Sequence, residues 1–331
     1  MKKKISLLTL AIALLTLASC KSSPKPGESV SNTNNVLQDS VAAILERHLV
    51  EYDAMDGVAI VMETESGKVR SMVGLKAKGD YAYERADSLA GNKHSSALMR
   101  TVSVLAALNT GKVKPDDKFD SGEGIYTYDN DTIYDHNWRK GGYGNLTLRQ
   151  ALAFSSDIGI IRAVDEAFPD KKDFLASVRK MSFGQPLEIE GMKLDSCSRD
   201  ADMPWYYYAM GYQETTPLQM LAFYNAIANK SNIASPTSMA YIREMLEEVV
   251  SNGLAKRAMS DKVKVAGMNG TIYNKDSTLT ADFCGYFPAD KPRYTILVSV
   301  HRKETPAGGG RMAGAIFSEI TEYLFGQSST L

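Results

Sequence analysis

Ser95-Ser96-Ala97-Leu98-Met99-Arg100-Thr101-Val102-Ser103-Val104-Leu105-Ala106-Ala107-Leu108 is the stretch around which this chain is organised. Ala97, Val104, Leu105 and Leu108 recur at helical spacing, and Met99, Val102 and Ala106 widen the apolar surface to most of the circumference. The spacing predicts a buried helix over about residues 97–109. Ser95 or Ser96 is placed to cap it, and Thr110-Gly111 to stop it. A buried helix led by small polar residues is a common seat for a serine nucleophile.

Outward from it, strands flank helices. Val41–Tyr52 is an amphipathic pattern, with Val41, Ile44, Leu45 and Leu49 on one side. Gly57–Thr64 and Lys68–Gly74, separated by the turn Glu65-Ser66-Gly67, predict a β-hairpin. After the central helix comes a polar, Gly- and Asp-rich loop, Asp116 to Gly144, and then helical signals run to about Lys256. Thr216-Pro217 is a cap followed by proline at the first helical position. Strand patterns return at Val263–Thr271, Ala281–Phe287 and Arg293–His301. The Gly-rich Ala307–Gly310 and a final helix, Met312–Leu324, close the chain. The two strand sets are expected to join in one antiparallel sheet, because isolated hairpins are unstable. The fold class is α+β: an antiparallel sheet flanked by helices, residues 41–90 and 260–331, with a helical lobe, 91–259, inserted. The groove between them is the expected binding site.

The chain has 331 residues, 44% hydrophobic and 23% charged, with a net charge of -1, enough for a large core. Nothing concentrates Lys and Arg on one face, which argues against a nucleic-acid partner. The N-terminus reads as targeting. Lys2-Lys3-Lys4 precede an apolar run, Ile5–Leu17, that is shorter than the roughly 20 residues of a membrane span. Leu17-Ala18-Ser19-Cys20 resembles a bacterial lipobox. That implies a signal peptide over 1–19 and a lipidated Cys20, with an ordinary secretory peptide as the other reading. Residues 20–40 are then a flexible tether rich in Ser, Asn, Pro and Gly. The expected location is the cell envelope, facing the periplasm, and Lys21 after the cysteine favours the outer membrane. Cys197 and Cys284 allow one disulfide, though Cys284 sits in a strand pattern suited to a buried thiol. No two of His48, His94, His136 and His301 have ligand spacing, so no metal is expected.

Several strings, in order over about residues 41–325, resemble the transpeptidase domain of penicillin-binding proteins. They are the first hairpin, Asn145–Leu152 with Ser155-Ser156-Asp157, Gly211-Tyr212 with Thr216-Pro217-Leu218-Gln219, Met245–Gly253, and Asp282–Ala289. The resemblance implies a serine acyl-transfer site built from Ser-x-x-Lys, Ser-x-Asn and Lys-Thr/Ser-Gly, needing no cofactor. In this chain Ala97 and Arg100 fall on the first motif. Ser155 and Asp157 fall on the second, and Met268, Asn269 and Gly270 on the third. Alanine offers no nucleophile, and arginine stays protonated and takes no proton. Losing such a unit costs on the order of 10⁶ in rate in comparable serine enzymes.

Intact catalytic residues are therefore not expected. The ligand groove is assigned to Ser96, Arg100, Ser155, Asp157, Asn269, Gly270 and Thr271. Arg100 either grips an anionic ligand or pairs with Asp157. Trp205 to Tyr208 either stack on sugars or pack between helices, and Tyr126–Trp138 is either a partner surface or a groove rim. Three readings follow. The leading one is a lipid-anchored, non-catalytic module holding a peptidoglycan stem peptide or an envelope protein. The others are a divergent D,D-transpeptidase or D,D-peptidase with relocated groups, and a sensor that binds β-lactams or muropeptides without acylation.

Overall fold

The computed structural model describes residues 35–128, 130–197, 202–274, 276–303 and 311–328. The expected signal peptide, Cys20, the first part of the tether and Ala307–Gly310 fall outside them. In chain order, helix α1 (Asn35–Glu51) precedes strands β1 (Ala54–Glu63), β2 (Val69–Gly79) and β3 (Ala82–Arg85). Next come β4 (His94–Ser95), α2 (Met99–Asn109), and four short strands, β5 (Lys118–Asp120), β6 (Ile125–Tyr128), β7 (Asp131–Tyr134) and β8 (Asn145–Thr147). They are followed by α3 (Leu148–Ala153), α4 (Asp157–Ala167), α5 (Lys171–Lys180), β9 (Leu187–Ile189), β10 (Met192–Leu194), α6 (Trp205–Met210) and β11 (Glu214–Thr215). The rest is α7 (Pro217–Ala228), α8 (Pro236–Ser251), β12 (Ala266–Tyr273), β13 (Thr278–Phe287), β14 (Tyr294–Lys303) and α9 (Ala313–Ser328).

The first and last strands form one six-stranded sheet in the order β12-β13-β14-β1-β2-β3, antiparallel throughout. Strand β13 is buried along all ten residues, which requires cover on both faces. Helices α1 and α9 pack together and against the sheet, as do α7 and α8. The core is continuous from the sheet into the helices of the insertion.

Local chemistry sets the helix starts. Thr216 caps α7 with a reciprocal Gln219 bond and Pro217 in the first turn, and Thr147 with Gln150 does the same for α3. Ser156 caps α4, accepting from the Gly159 N–H.

Several expectations need correction. Helix α1 starts at Asn35, six residues before Val41, so residues 35–40 belong to the helix and not to the tether; the Gln38 side chain binds Ser71 and Met72. The loop from Asp116 to Gly144 carries β5, β6 and β7, because Ile125–Tyr128 and Asp131–Tyr134 alternate well enough to pair with each other. The helical middle also contains the β9–β10 hairpin and β11, two- and three-residue strands below the reach of periodicity. Cys197 and Cys284 are both free thiols, with Cys284 buried. Among the described residues, no helix is long and apolar enough to cross a membrane.

Candidate functional site

The start of α2 is held from three sides. Strand β4 pairs with β11, and the Ser96 N–H donates to the Gly211 carbonyl at 2.9 Å. Gly211 has φ 106, and a Cβ there would fall 2.2 Å from the Ser96 oxygen, so only glycine lets the two chains meet. The Tyr224 hydroxyl binds the Leu98 carbonyl at 3.1 Å and Thr101 Oγ1 at 2.7 Å. The third contact is the sheet itself, through Ser96 and Gly270.

Neither serine caps the helix. Ser95 Oγ donates to the Tyr212 carbonyl at 3.0 Å, and Ser96 Oγ donates to Asp282 Oδ2 at 2.5 Å. Leu98 stands at the cap position and supplies no side-chain bond. The Ser96 oxygen still accepts from the Leu98 N–H at 3.4 Å, but that is the cap residue's own N–H and not one from the first helical turn. Asp282 also lies 3.5 Å from His94 Nε2, while its Oδ1 is buried without a partner. Burial works against a charged His94, but Asp282 outweighs it and holds the imidazole pKa above its ordinary value. Ser96 is 2% exposed, and its hydroxyl points at a carboxylate instead of an opening.

Ala97 is fully buried. Its methyl abuts Gly270 of β12: a Cβ on Gly270 would sit 2.8 Å from Ala97 Cβ and 3.1 Å from its carbonyl carbon. Met268, two residues along the strand, is fully buried within the core. Asn269 is nearly buried, with its Oδ1 unpartnered, and Thr271 is half-buried.

At the second residue of α2, Arg100 forms a two-pronged pair with Asp157, the first residue of α4. Nε donates to Oδ1 at 2.7 Å and Nη2 to Oδ2 at 3.0 Å, with side chains 9% and 17% exposed. Desolvation opposes the guanidinium charge, but Asp157 more than offsets it, so Arg100 is held even more firmly ionised than usual. Of the two sequence readings of Arg100, the structure shows the internal pair. Ser155, beside it, has φ 52, a strained value for a residue with a side chain, and its buried Oγ has no partner.

The sequence did not point to Asp135, the fully buried carboxylate that closes this network from the long loop. Its Oδ2 accepts from Ser156 Oγ at 2.6 Å and its Oδ1 from the Ile158 N–H at 3.2 Å. Burial, and to a lesser degree the charge of Asp157, push its pKa up to about 6. An Asp in a polar loop carries no periodic signal, so only its position against the start of α4 marks it. Asp282 stood in a string already noted for the resemblance, yet nothing in that string shows that it faces Ser96. Trp205, Tyr206 and Tyr208 are buried, with the Tyr206 hydroxyl donating to Asp131 at 2.8 Å; this is packing between elements.

The expected site residues thus meet as two contacts, Ala97 on Gly270 and Arg100 on Asp157, flanked by Ser155 and Asn269. The arrangement offers hydrogen-bonding groups but no free amine beside a hydroxyl.

The family model described as the penicillin-binding protein transpeptidase domain matches residues 57–322. Stage V sporulation protein D of Bacillus subtilis is 24% identical over 90% of this chain and 53% of its own length. The probable peptidoglycan D,D-transpeptidase PbpC of Pseudomonas aeruginosa is 24% identical over 90% of this chain and 58% of its length. Penicillin-binding protein 1A of Aquifex aeolicus is 27% identical over 71% of this chain and 33% of its length. The chain spans about half the length, or less, of these curated relatives. In fold it is similar to the transpeptidase domain of Burkholderia pseudomallei penicillin-binding protein 3, with a TM-score of 0.76 and 23% identity over 88% of this chain and 94% of that one. A peptidoglycan glycosyltransferase structure from Burkholderia ambifaria gives a TM-score of 0.75 with 23% identity, covering 89% and 96%. The sheet order, the buried helix α2 and these matches agree, and the chain belongs to the penicillin-binding protein transpeptidase domain family.

Proposed function

We propose that this chain is a non-catalytic member of its family, a cell-envelope module that holds a peptidoglycan stem peptide or an envelope protein, tethered to a membrane through a lipidated Cys20 on the periplasmic side. The observation that carries the reading is the contact between the Ala97 methyl and Gly270. At the place the family resemblance gives to the nucleophile there is a buried methyl group, and the strand lies directly on it. Arg100, at the place of the general base, is committed to Asp157 by two bonds and cannot release a proton. Met268 supplies no cation to face a carboxylate.

The relocated-enzyme reading would fall to Ser96, the nearest hydroxyl. Its bond to Asp282 and its burial aim it away from any substrate. Incubating the purified protein with a fluorescent penicillin and boiling in detergent tests the proposal. The expected result is no retained label. Boil-resistant labelling would overturn it, and mapping the labelled peptide would show whether Ser96 had reacted.

A further inference from the structure

A second cleft opens beside β4, with Pro217 at the start of α7 in its wall. It has a volume of about 410 Å³ and is lined from β1, β2, β13, β14, β11 and the segment before α2. That volume lies within the usual range for small-molecule sites. Its character comes from charge. Lys76, Lys93, His94 and His301 face Asp56 and Glu214 across it.

The charges are not evenly matched. His301 Nδ1 lies 3.2 Å from Asp56 Oδ2, and its Nε2 lies 2.9 Å from Thr278 Oγ1. His94 lies 3.5 Å from Asp282, which sits behind the wall. Both carboxylates are therefore committed to imidazoles. Lys76 and Lys93 are exposed and form no ion pair with any described residue. Glu214 is the one lining carboxylate left to oppose two ammonium groups. Asn92, Ser299 and Thr280 add polar groups that suit an oxyanion, while the Asn274 amide is committed to Thr278 and Thr280.

We propose that this cleft is a binding site for a small oxyanion, a carboxylate or a phosphate-like group, held between Lys76 and Lys93 over the two imidazoles. The site goes beyond the groove reading and stands whether or not the groove is catalytic. Because His94 and Ser96 share Asp282, an anion here also touches the segment that leads into Ala97. The bond to Asp56, set against burial, raises the His301 pKa; Asp276 adds to this and His94 opposes it. Asp282, and more weakly Asp56, raise that of His94 against burial. Protonated imidazoles favour the anion, so affinity falls as pH rises through these raised values.

Calorimetric titration of the purified full chain with sodium sulfate and with sodium acetate tests this, since both probes keep constant charge from about pH 6 to pH 8. The expected result is saturable binding of at least one probe at about pH 6, weakened several-fold at about pH 8. The Lys76→Ala/Lys93→Ala variant should weaken it about tenfold or more, and Glu214→Gln should strengthen it. Tighter sulfate assigns a phosphate-like ligand and tighter acetate a carboxylate. Both lysines are exposed, so the variant is expected to fold, and its circular dichroism checks that. No saturable heat with either anion at tens of millimolar overturns the proposal. So does a folded double-lysine variant with unchanged affinity.

Discussion

Replacing Arg100 by methionine removes a cation whose side chain is 9% exposed and leaves the Asp157 carboxylate 17% exposed without its two bonds. Breaking one partner of a buried pair costs about 3–5 kcal/mol. Asp157 retains some water, which favours the lower end, about 3 kcal/mol. A second effect adds to this. Asp135 feels both charges, and its pKa is already pushed up to about 6 by burial and by Asp157. Without Arg100, the buried Asp135 is left with the part-buried charge of Asp157 and no guanidinium to offset it, so Asp135 is driven higher still. Arg100→Met is therefore expected to cost more than Asp157→Asn, which leaves the guanidinium with Asp135 as a remaining attraction. In the double variant both charges are gone and volume is nearly kept, so it should lie within about 1 kcal/mol of the parent. With Asp157→Asn costing about 1–2 kcal/mol, the implied coupling is about 3–5 kcal/mol, measurable by urea denaturation followed by circular dichroism. With a slope of about 3 kcal/mol/M, the Arg100→Met midpoint falls by about 1 M. Single variants that each cost under about 1 kcal/mol, or a double variant equal to their sum, would refute the pair as a buried, coupled unit.

Other expectations follow from the same contacts. Gly270→Ala places a methyl 2.8 Å from Ala97 Cβ and should destabilise by about 1–3 kcal/mol; an added Ala97→Gly should recover part of it, read as melting temperature. Ala97→Ser should bind no penicillin covalently, because Arg100 cannot accept the hydroxyl proton; retained label on the gel would contradict this. Asp135 holds its proton to about 6 when folded but only to its ordinary 3.8 when unfolded. Its contribution is full below the lower value and lost as pH rises through the upper one, up to about 3 kcal/mol. Asp135→Asn should flatten that part of the stability profile, measured by denaturation at a series of pH values.

Several features were legible from residues alone because their causes are local. The hairpin β1–β2 follows from period-two alternation around Glu65-Ser66-Gly67, the start of α7 from Thr216-Pro217 with Gln219, and the burial of α2 from apolar residues on nearly every side. The chemistry at positions 97, 100 and 268 was also readable, since a side chain without a hydroxyl or an amine lacks it in any fold. What the sequence could not supply were pairings across long separations. Ser96 and Asp282 lie 186 residues apart, and Arg100 and Asp157 lie 57 apart. Ser95 and Ser96 looked like caps because a helix start attracts small hydroxyls; the helix starts at Met99 with Leu98 as its cap residue, and the Ser96 hydroxyl donates to a buried carboxylate on a distant strand. Tertiary structure alone set Gly270 on Ala97, placed Asp135 at the start of α4 and opened a charged cleft between the sheet and β4. Propensity and patterning act within a few residues along the chain, whereas partners for buried charge are assigned only when the sheet brings its two ends together.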